Sequence, residues 1–561
     1  MLTLRLRKTL SFLVNTEKGH YLLIGLFALF SHGLLLLNDG VYWDGWLIYV
    51  GKITNRWELI NGIYADRGGL PIYTAFHWLL YQFPFFVFGY KLSAFLFISS
   101  SAFFIYRIAR LLFNNPLISL FIALVALTFP SNQATVELIV IPYLLSYFLF
   151  WLGCLLLVLT RTKKNPAIWW HLAAAFSLVL SFRMYSLLVY FYGFLFILYM
   201  TYLVRKKGVE FVQTTKQFIV LYFVYLVLPI LFWVGNAWLF PPGGFYANAD
   251  AFIWGPVLFD LTASYLTFGV AGQFLESLAN LANPLVLFPV VAISWLAAWG
   301  FANKKHAQLF LGATLNPRQL LLGGAVLFAA GVFPYVIVGR ATMLHGWATR
   351  NTILIAVPIA VLLAGLAQGL GVKGKKGQTQ LVSKITVFVL FVLTLLFTVE
   401  TAKFYLMWQL RAIKDHSVIL HVSSQAESVE DTSIFYVHDS FRVGGENRYR
   451  PYEYFGMLAA AIPGSQKIGF DVNYYTYEEY FLNADEATAQ LFELWFPDLD
   501  INGCQAEMHI SAGSAQMNSM IFVRYFYYKY LNPNRLDSFL KTVTEVEIIP
   551  TESALATSCQ R

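Results

Sequence analysis

The sequence predicts an α-helical polytopic membrane protein that ends in a small mixed α/β domain, on three observations. Hydrophobic residues make up 58% of the chain and charged residues only 12%, at a mean hydropathy of +0.59, far from the balance of a soluble domain. The apolar residues gather in runs long enough to span a bilayer. From about Thr401 the runs become short and alternate with polar turns, as in "SIFYVHDS", "MIFVRYFYYKY" and "VEIIP", a pattern of strands and short helices. The predicted division is a membrane domain over residues 1–400 and a soluble domain over 401–561.

The formal charge of +8 is read as topology, because Lys and Arg collect on the cytoplasmic side of spans and no basic stripe with interleaved aromatics speaks for nucleic acid. Arg5, Arg7, Lys8 and Lys18 put the N-terminus in the cytoplasm. The run Tyr21 to Leu37 follows without a small-x-small cleavage site, so it is a retained first span that delivers Asp39 and Asp44 outside. Pro71 to Arg110 is long enough for two spans, which would leave Arg107 and Arg110 outside. Reading Ile72 to Phe88 as an interfacial or re-entrant helix and Tyr90 to Phe113 as the second span restores the rule, with a first outer loop over 38–89.

The remaining runs alternate in step with the basic clusters. Leu117 to Phe129 goes out, Ile139 to Leu159 returns to Arg161, Lys163 and Lys164, Trp169 to Ser181 goes out, and Tyr185 to Val204 returns to Arg205, Lys206 and Lys207. Phe218 to Leu239 leads out to a long loop beginning "PPGGFYANAD", and Leu285 to Phe301 comes back to Lys304 and Lys305. Leu320 to Gly339 goes out, Thr352 to Leu370 returns to "GVKGKKGQ", and Ile385 to Val399 goes out last. That makes about eleven spans and places the tail outside the cytoplasm. Of three cysteines, Cys154 lies in an apolar run, while Cys504 and Cys559 leave room for one disulfide in the tail.

The informative residues are charges that sit outside, against the sorting rule, because ionisable groups at membrane depth are costly. The first outer loop supplies Asp39, Asp44, Lys52, Arg56, Glu58, Asp66 and Arg67, and the second, "FPSNQATVEL", supplies Glu137. "SFRMYS" supplies Arg183, and "GRATMLHGWATRN" supplies Arg340, His345 and Arg350. Carboxylates can take a proton from a hydroxyl or hold a divalent cation, and arginines offer forks suited to phosphate. A site with both suits a phosphate-bearing substrate and a hydroxyl nucleophile, and a polyprenyl-phosphate sugar donor has its tail in the bilayer and its phosphate at the surface.

Plainer readings stand beside these. Asp39 and Asp44 would cap an interfacial helix from Gly45 to Ile60. Tyr42, Trp43 and Trp46 would be aromatic-belt anchors, His77 and His345 satisfied interfacial histidines, and Lys52, Arg56 and Glu58 a solvated helix face. The tyrosines of "RVGGENRYRPYEY" would bind sugar or pack on the membrane domain, packing being the simpler reading.

These features resemble the GT-C superfamily of membrane glycosyltransferases, near its aminoarabinose-transferase and protein-mannosyltransferase-like members. An acid follows the first span (Asp39, with Asp44 close by), and "RGGLPIYTAFHWLLYQFPFFVFGYKLSAFLFISSSAFFIYRIARLLF" is similar to the family's "PPLYY" segment, interfacial helix and second span closing in "ARRLFG". Pro71, Tyr73, Gly89, Arg107 and Arg110 fall in corresponding places, Glu137 stands where a second acid is often found, and Arg183 where a polar residue interrupts the spans. The likeness covers residues 20–205, and the second outer loop lacks an Asp-x-Asp or Asp-x-Glu pair.

The resemblance implies a GT-C-like bundle and inverting transfer of a sugar from a polyprenyl-phosphate donor to a glycan, lipid or protein hydroxyl at the outer face of the plasma membrane. Asp39, or Asp44 if the loop folds differently, is then the base, and Glu137 orients the acceptor or helps hold a divalent cation, whose ligands the sequence leaves unassigned. Arg183, Arg340, His345, Arg350 and Arg67 are the candidates for binding phosphate and substrate. Two other enzymes or binders fit the same charges: a polymerase or ligase of surface polysaccharide, and a carrier or flippase for lipid-linked sugars. A non-catalytic scaffold is a further reading.

Overall fold

The computed structural model describes residues 12–13, 16–65, 71–162, 167–206, 209–241, 251–301, 314–372, 379–443, 449–474, 496, 499–500 and 503–551. Local sequence sets many of the helix ends. Thr16 caps α1 (Glu17–His32) by accepting from the Gly19 amide at 2.9 Å. Four short helices or spans follow: α2 (Gly45–Ile53), α3 (Trp57–Ala65), α4 (Pro71–Tyr81) and α5 (Phe86–Phe113). The tetrapeptide "FNNP" is a stop and a start. Asn114 closes α5 in the left-handed region (φ 53°), and Asn115 caps α6 (Pro116–Thr128) by accepting from the amides of Leu117 and Ile118.

The bundle continues with α7 (Ile141–Thr162), α8 (Ile168–Ser181), α9 (Ser186–Arg205), α10 (Phe211–Leu239), α11 (Val257–Ser264), α12 (Gln273–Ala279), α13 (Pro284–Phe301), α14 (Pro317–Val336), α15 (Ala356–Val372) and α16 (Thr379–Ser424). Among the described residues, α1 with the 3₁₀ turn that continues it to Leu37, α5, α7, α9, α10, α14 and α16 are long and apolar enough to cross a membrane. Residues Val257–Ala282 and Pro284–Trp299 form a pair bent by 102° that adds an eighth candidate span if counted as one. Helices α6, α8 and the apolar part of α15 are shorter than a span normally needs. Val220, Trp238, Leu285 and Trp295 are exposed on α10 and α13, a distribution that suits lipid rather than water. The protein is thus a helical, multi-pass membrane protein.

Three local expectations change. The interfacial helix expected over Gly45 to Ile60 is two helices, broken where Asn55 takes a left-handed backbone (φ 55°). The loop expected after Leu239 carries α11 and α12, joined by π-helical turns over Tyr265–Gly272. The expected boundary at residues 400 and 401 falls inside α16, a single helix of 46 residues. At 1.5 Å per residue this helix is about 70 Å long, more than twice the hydrocarbon thickness. Its second half leaves the apolar bundle and carries Gln409, Arg411, Lys414, Asp415 and His416.

A four-stranded sheet packs along that second half. The strands β1 (Thr432–Asp439), β2 (Ile468–Asp471), β3 (Cys504–Ala512) and β4 (Thr544–Pro550) lie in the order β2-β1-β3-β4, parallel except for the β3–β4 pair. Helices α17 (Pro451–Ala461), α18 (Ser519–Leu531) and α19 (Leu536–Leu540) accompany it. Phe435, Val437, Met508 and Ile510 point one face of the sheet into the main core, by the two-residue period of strands. Two buried ion pairs fix the tail to α16: Arg411 to Glu453 of α17 at 2.5 Å, and Lys414 to Asp439 of β1 at 2.5 Å. Cys504 is disulfide-bonded and Cys154 is a buried free thiol, while Cys559 lies outside the described residues.

Candidate functional site

The stretch Asn38 to Asp44 turns sharply after the first span. Trp43 takes a left-handed backbone (φ 44°), a conformation that costs on the order of 1–3 kcal/mol for a bulky residue unless its surroundings hold it. They do: the Trp43 amide donates to Glu453 Oε1 at 2.9 Å, and its ring packs against Trp408 at 4.5 Å and Trp347 at 5.4 Å. Tyr42 donates its hydroxyl to the Trp408 carbonyl at 2.6 Å. Tyr42, Trp43 and Trp46 are therefore buried between the bundle and α17, not aromatic-belt anchors.

That turn presents Asp44 to the tail. Asp44 stands at the N-cap position of α2, yet its side chain makes no cap hydrogen bond. Oδ1 accepts instead from Arg450 Nη1 at 3.1 Å and from the Tyr452 hydroxyl. Among the described residues Oδ2 has no hydrogen-bond partner. Burial works against the Arg450 charge, but Tyr452 and Asp44 more than offset it and raise its pKa above the ordinary value.

Glu137 approaches from the loop between α6 and α7 and is fully buried. Its Oε1 accepts from the Ile139 amide at 3.3 Å, and its Oε2 has no hydrogen-bond partner. Burial pushes the carboxyl well above the usual carboxylate range, and the charge of Asp44 pushes it the same way, which favours its protonated form. Gly45 makes the approach possible, since a Cβ there would stand 2.3 Å from Glu137 Oε1. Lys91 of α5, fully buried, lies below: its ammonium donates to the Val136 carbonyl and sits 5.1 Å from the centre of the Tyr42 ring.

Arg350 closes the cluster from a 3₁₀ turn over Trp347–Thr352. Its guanidinium lies 3.8 Å over the Trp347 ring, and Arg450 reaches the same ring at 5.6 Å. Nη1 of Arg350 is buried and has no hydrogen-bond partner. Burial lowers its pKa to about 10, against the charge of Asp44, which raises it, with Tyr143, Arg450 and Arg340 also in electrostatic range. The Tyr143 ring touches Tyr73 at 5.7 Å, and Tyr73 lies within electrostatic range of Arg183.

The structure thus gathers Asp44, Glu137 and Arg350 from three loops, with Arg340 and Arg183 at its margin. Asp39 goes elsewhere. Its Oδ1 accepts from Gln409 at 2.7 Å with His416 at 3.6 Å, and its Oδ2 takes the Tyr525 hydroxyl at 2.5 Å and the Lys529 ammonium. Burial opposes its ionisation, but His416 and Lys529 outweigh burial and hold the carboxyl far below the usual range.

The other candidates are spread out. Arg183 donates to Asn236 Oδ1 and stacks 4.6 Å over Phe240. His345 pairs with Gln133 at 2.9 Å, and burial lowers its pKa despite Glu276 and Glu400 nearby. His77 is fully buried between the Tyr64 and Tyr90 hydroxyls at 2.5 Å each. Asp66 and Arg67, with the basic residues Lys163, Lys164, Lys207, Lys304 and Lys305, lie outside the described residues.

Arg450, Tyr452, Glu453, Trp347 and Lys91 were not among the sequence candidates. The signal for the first three was "RYRPYEY", where packing on the membrane domain and a place beside Asp44 turn out to be one arrangement. Chemically the cluster pairs an ionisable acid with a guanidinium that has a free donor, around a neutral carboxyl. Arg450 occupies one oxygen of Asp44, and Arg350 is within electrostatic range of it, so the positive charge here suits an anion. Among the described residues, the three metal-ligand side chains that converge are His438, Glu507 and His509, on the tail sheet. No protein-family model, curated protein or solved structure matches the chain.

Proposed function

We propose that the protein is an inverting membrane glycosyltransferase of GT-C-like architecture, transferring a sugar from a polyprenyl-phosphate donor to the hydroxyl of a glycan, lipid or protein acceptor at the outer face of the plasma membrane. The observation that carries this reading is Asp44 beside Arg350, with an Asp44 oxygen and an Arg350 nitrogen both lacking hydrogen-bond partners among the described residues. The acceptor hydroxyl gives its proton to Asp44 as its oxygen bonds to the anomeric carbon. The bond from that carbon to the phosphate oxygen breaks on the opposite side, and the configuration inverts.

Charge then grows on the departing lipid phosphate, and Arg350 is the donor fixed to receive it, with Arg340 and Arg183 adding positive potential. Neutral Glu137 neither repels the anion nor competes for the proton; it backs the Asp44 turn and orients the acceptor. Asp39 is set aside as the base because both of its oxygens are already engaged. In the proposed topology, which rests on the charge rule, the three shorter apolar helices join the seven long helices and the bent pair to give eleven spans, with the N-terminus cytoplasmic and the tail outside. The Glu17–Arg107 ion pair puts the start of α1 and the end of α5 at one membrane face, and a disulfide at Cys504 suits an oxidising compartment.

The test is release of polyprenyl phosphate. The purified protein, given radiolabelled lipid-linked sugar and an acceptor-bearing membrane extract, should free the lipid phosphate and yield a product of inverted anomeric configuration. Movement of intact lipid-linked sugar across a vesicle membrane without release would favour a carrier.

A further inference from the structure

The tail carries chemistry that the transfer reaction does not use. Strands β1 and β3 run parallel with His438 opposite His509 and Tyr436 opposite Glu507. The two-residue period of a strand therefore sets His438, Glu507 and His509 on one face of the sheet, with His438 at the carboxyl end of β1 and Glu507 and His509 in the middle and second half of β3. The two imidazoles lie parallel, 4.5 Å between centroids and 5° between planes. Glu507 Oε2 is 3.1 Å from His509 Nε2 and 3.8 Å from His438 Nε2.

We propose that His438, Glu507 and His509 form a mononuclear site for a divalent transition-metal ion of the zinc type. Zinc takes imidazole nitrogen and carboxylate oxygen at about 2.0–2.2 Å, so two ligands on a tetrahedral ion stand about 3.4 Å apart. The two Glu507 distances bracket that spacing and all three ligand atoms lie within 4.8 Å of one another; because an imidazole binds a metal in its ring plane, the stacked rings turn about their side-chain torsions to seat an ion. The donor set is borderline-soft and contains no sulfur, which suits zinc and neighbouring ions better than magnesium or calcium.

The site has an open side. His438 and His509 also line a cavity of about 530 Å³ with Asp439, Ser440, Arg442 and Ser511. Three protein ligands leave a fourth position for water or an anionic group, and Arg442 supplies positive charge beside it. Crevices outside the carboxyl ends of parallel strands are a recurrent place for ligands in α/β sheets. The neighbouring strand end is fixed: Asp439 is buried and ion-paired to Lys414 of α16, and the Ser440 hydroxyl donates to the Ile510 carbonyl at 3.0 Å. His438 is thereby held in register with the membrane domain.

The experiment uses the full-length protein with any affinity tag removed, stripped of metal with a chelator and dialysed against Zn²⁺ or Co²⁺. The wild type should retain about one ion per chain, raise its melting temperature on Zn²⁺ addition, and show the absorption of a nitrogen- and oxygen-ligated Co²⁺. His438→Ala with His509→Ala should abolish the spectrum and the thermal shift while melting, metal-free, where the metal-free wild type does. Glu507→Gln should weaken binding by more than the roughly 10–100-fold that loss of an outer partner costs. Equal metal content and spectra in wild type and double variant would place any ion elsewhere and overturn the proposal. So would a wild type that retains none at micromolar Zn²⁺.

Discussion

Asp39 and Asp44 lie five positions apart in one loop and have opposite surroundings. Asp39 is a strut: an ammonium, an imidazole, an amide and a phenol from α16 and α18 surround both of its oxygens, so it ties the tail to the end of the first span. Asp44 shares one oxygen between Arg450 and Tyr452 and stands beside a neutral Glu137 and an Arg350 with a donor to spare. A charge whose partners are complete stabilises a fold, whereas one left with open valences at a junction of loops is placed to act on something else. Closeness to the membrane span does not separate the two.

The sharpest way to break the comparison is substitution at each acid. Asp44→Asn should lower turnover by about 10²–10⁴-fold, the range for a lost general base, with a loss of stability smaller than that of Asp39→Asn because one oxygen rather than two is engaged. Asp39→Asn should leave turnover close to wild type and reduce stability by about 1.5–3 kcal/mol, the range for hydrogen bonds to a charged group, read from thermal unfolding in detergent.

Next in size is Arg411→Ala, which strands Glu453 in the interior and should destabilise the protein by about 3–5 kcal/mol. Its secondary effect is on Asp44, because Glu453 also holds the Trp43 amide that shapes the turn. Gly45→Ala drives a methyl group into the buried Glu137 carboxyl and should cost about 1–3 kcal/mol, more than alanine's helix preference at that position can return.

The smallest effects are in pH dependence. Asp39 has a lowered pKa, so its stabilisation is complete above the unfolded value of about 3.9 and fades as pH falls below it. Asp39→Asn should flatten the acid limb of a plot of melting temperature against pH. Glu137 has a raised pKa, so its contribution is complete below the unfolded value of about 4.3 and is lost as pH rises through the folded one. Glu137→Gln, which mimics the neutral acid, should leave turnover near wild type and gain stability relative to it on the alkaline side.

Much of the architecture was legible because hydropathy and capping are local. "FNNP" spells a helix stop and start, and the outer-loop acids and arginines stood out against the charge-sorting rule. The continuation of α16 was hidden because hydropathy drops after Val399 while helix-forming residues run on through "TAKFYLMWQLRAIKDHSVIL", so the end of a span was taken for the end of a helix. Helices α11 and α12 were hidden by their length, and Lys91 by its place inside an apolar run. The partners that divide Asp39 from Asp44 were beyond local reading, since Arg450, Tyr525 and Lys529 approach across more than 400 residues of chain.

The measurement that bears most directly on the account is sugar release from radiolabelled polyprenyl-phosphate donor by wild type, Asp39→Asn and Asp44→Asn at equal amounts of folded protein. The account predicts release by the wild type and by Asp39→Asn, with collapse in Asp44→Asn. Collapse in Asp39→Asn with full release by Asp44→Asn would contradict it and make the strut the catalytic base.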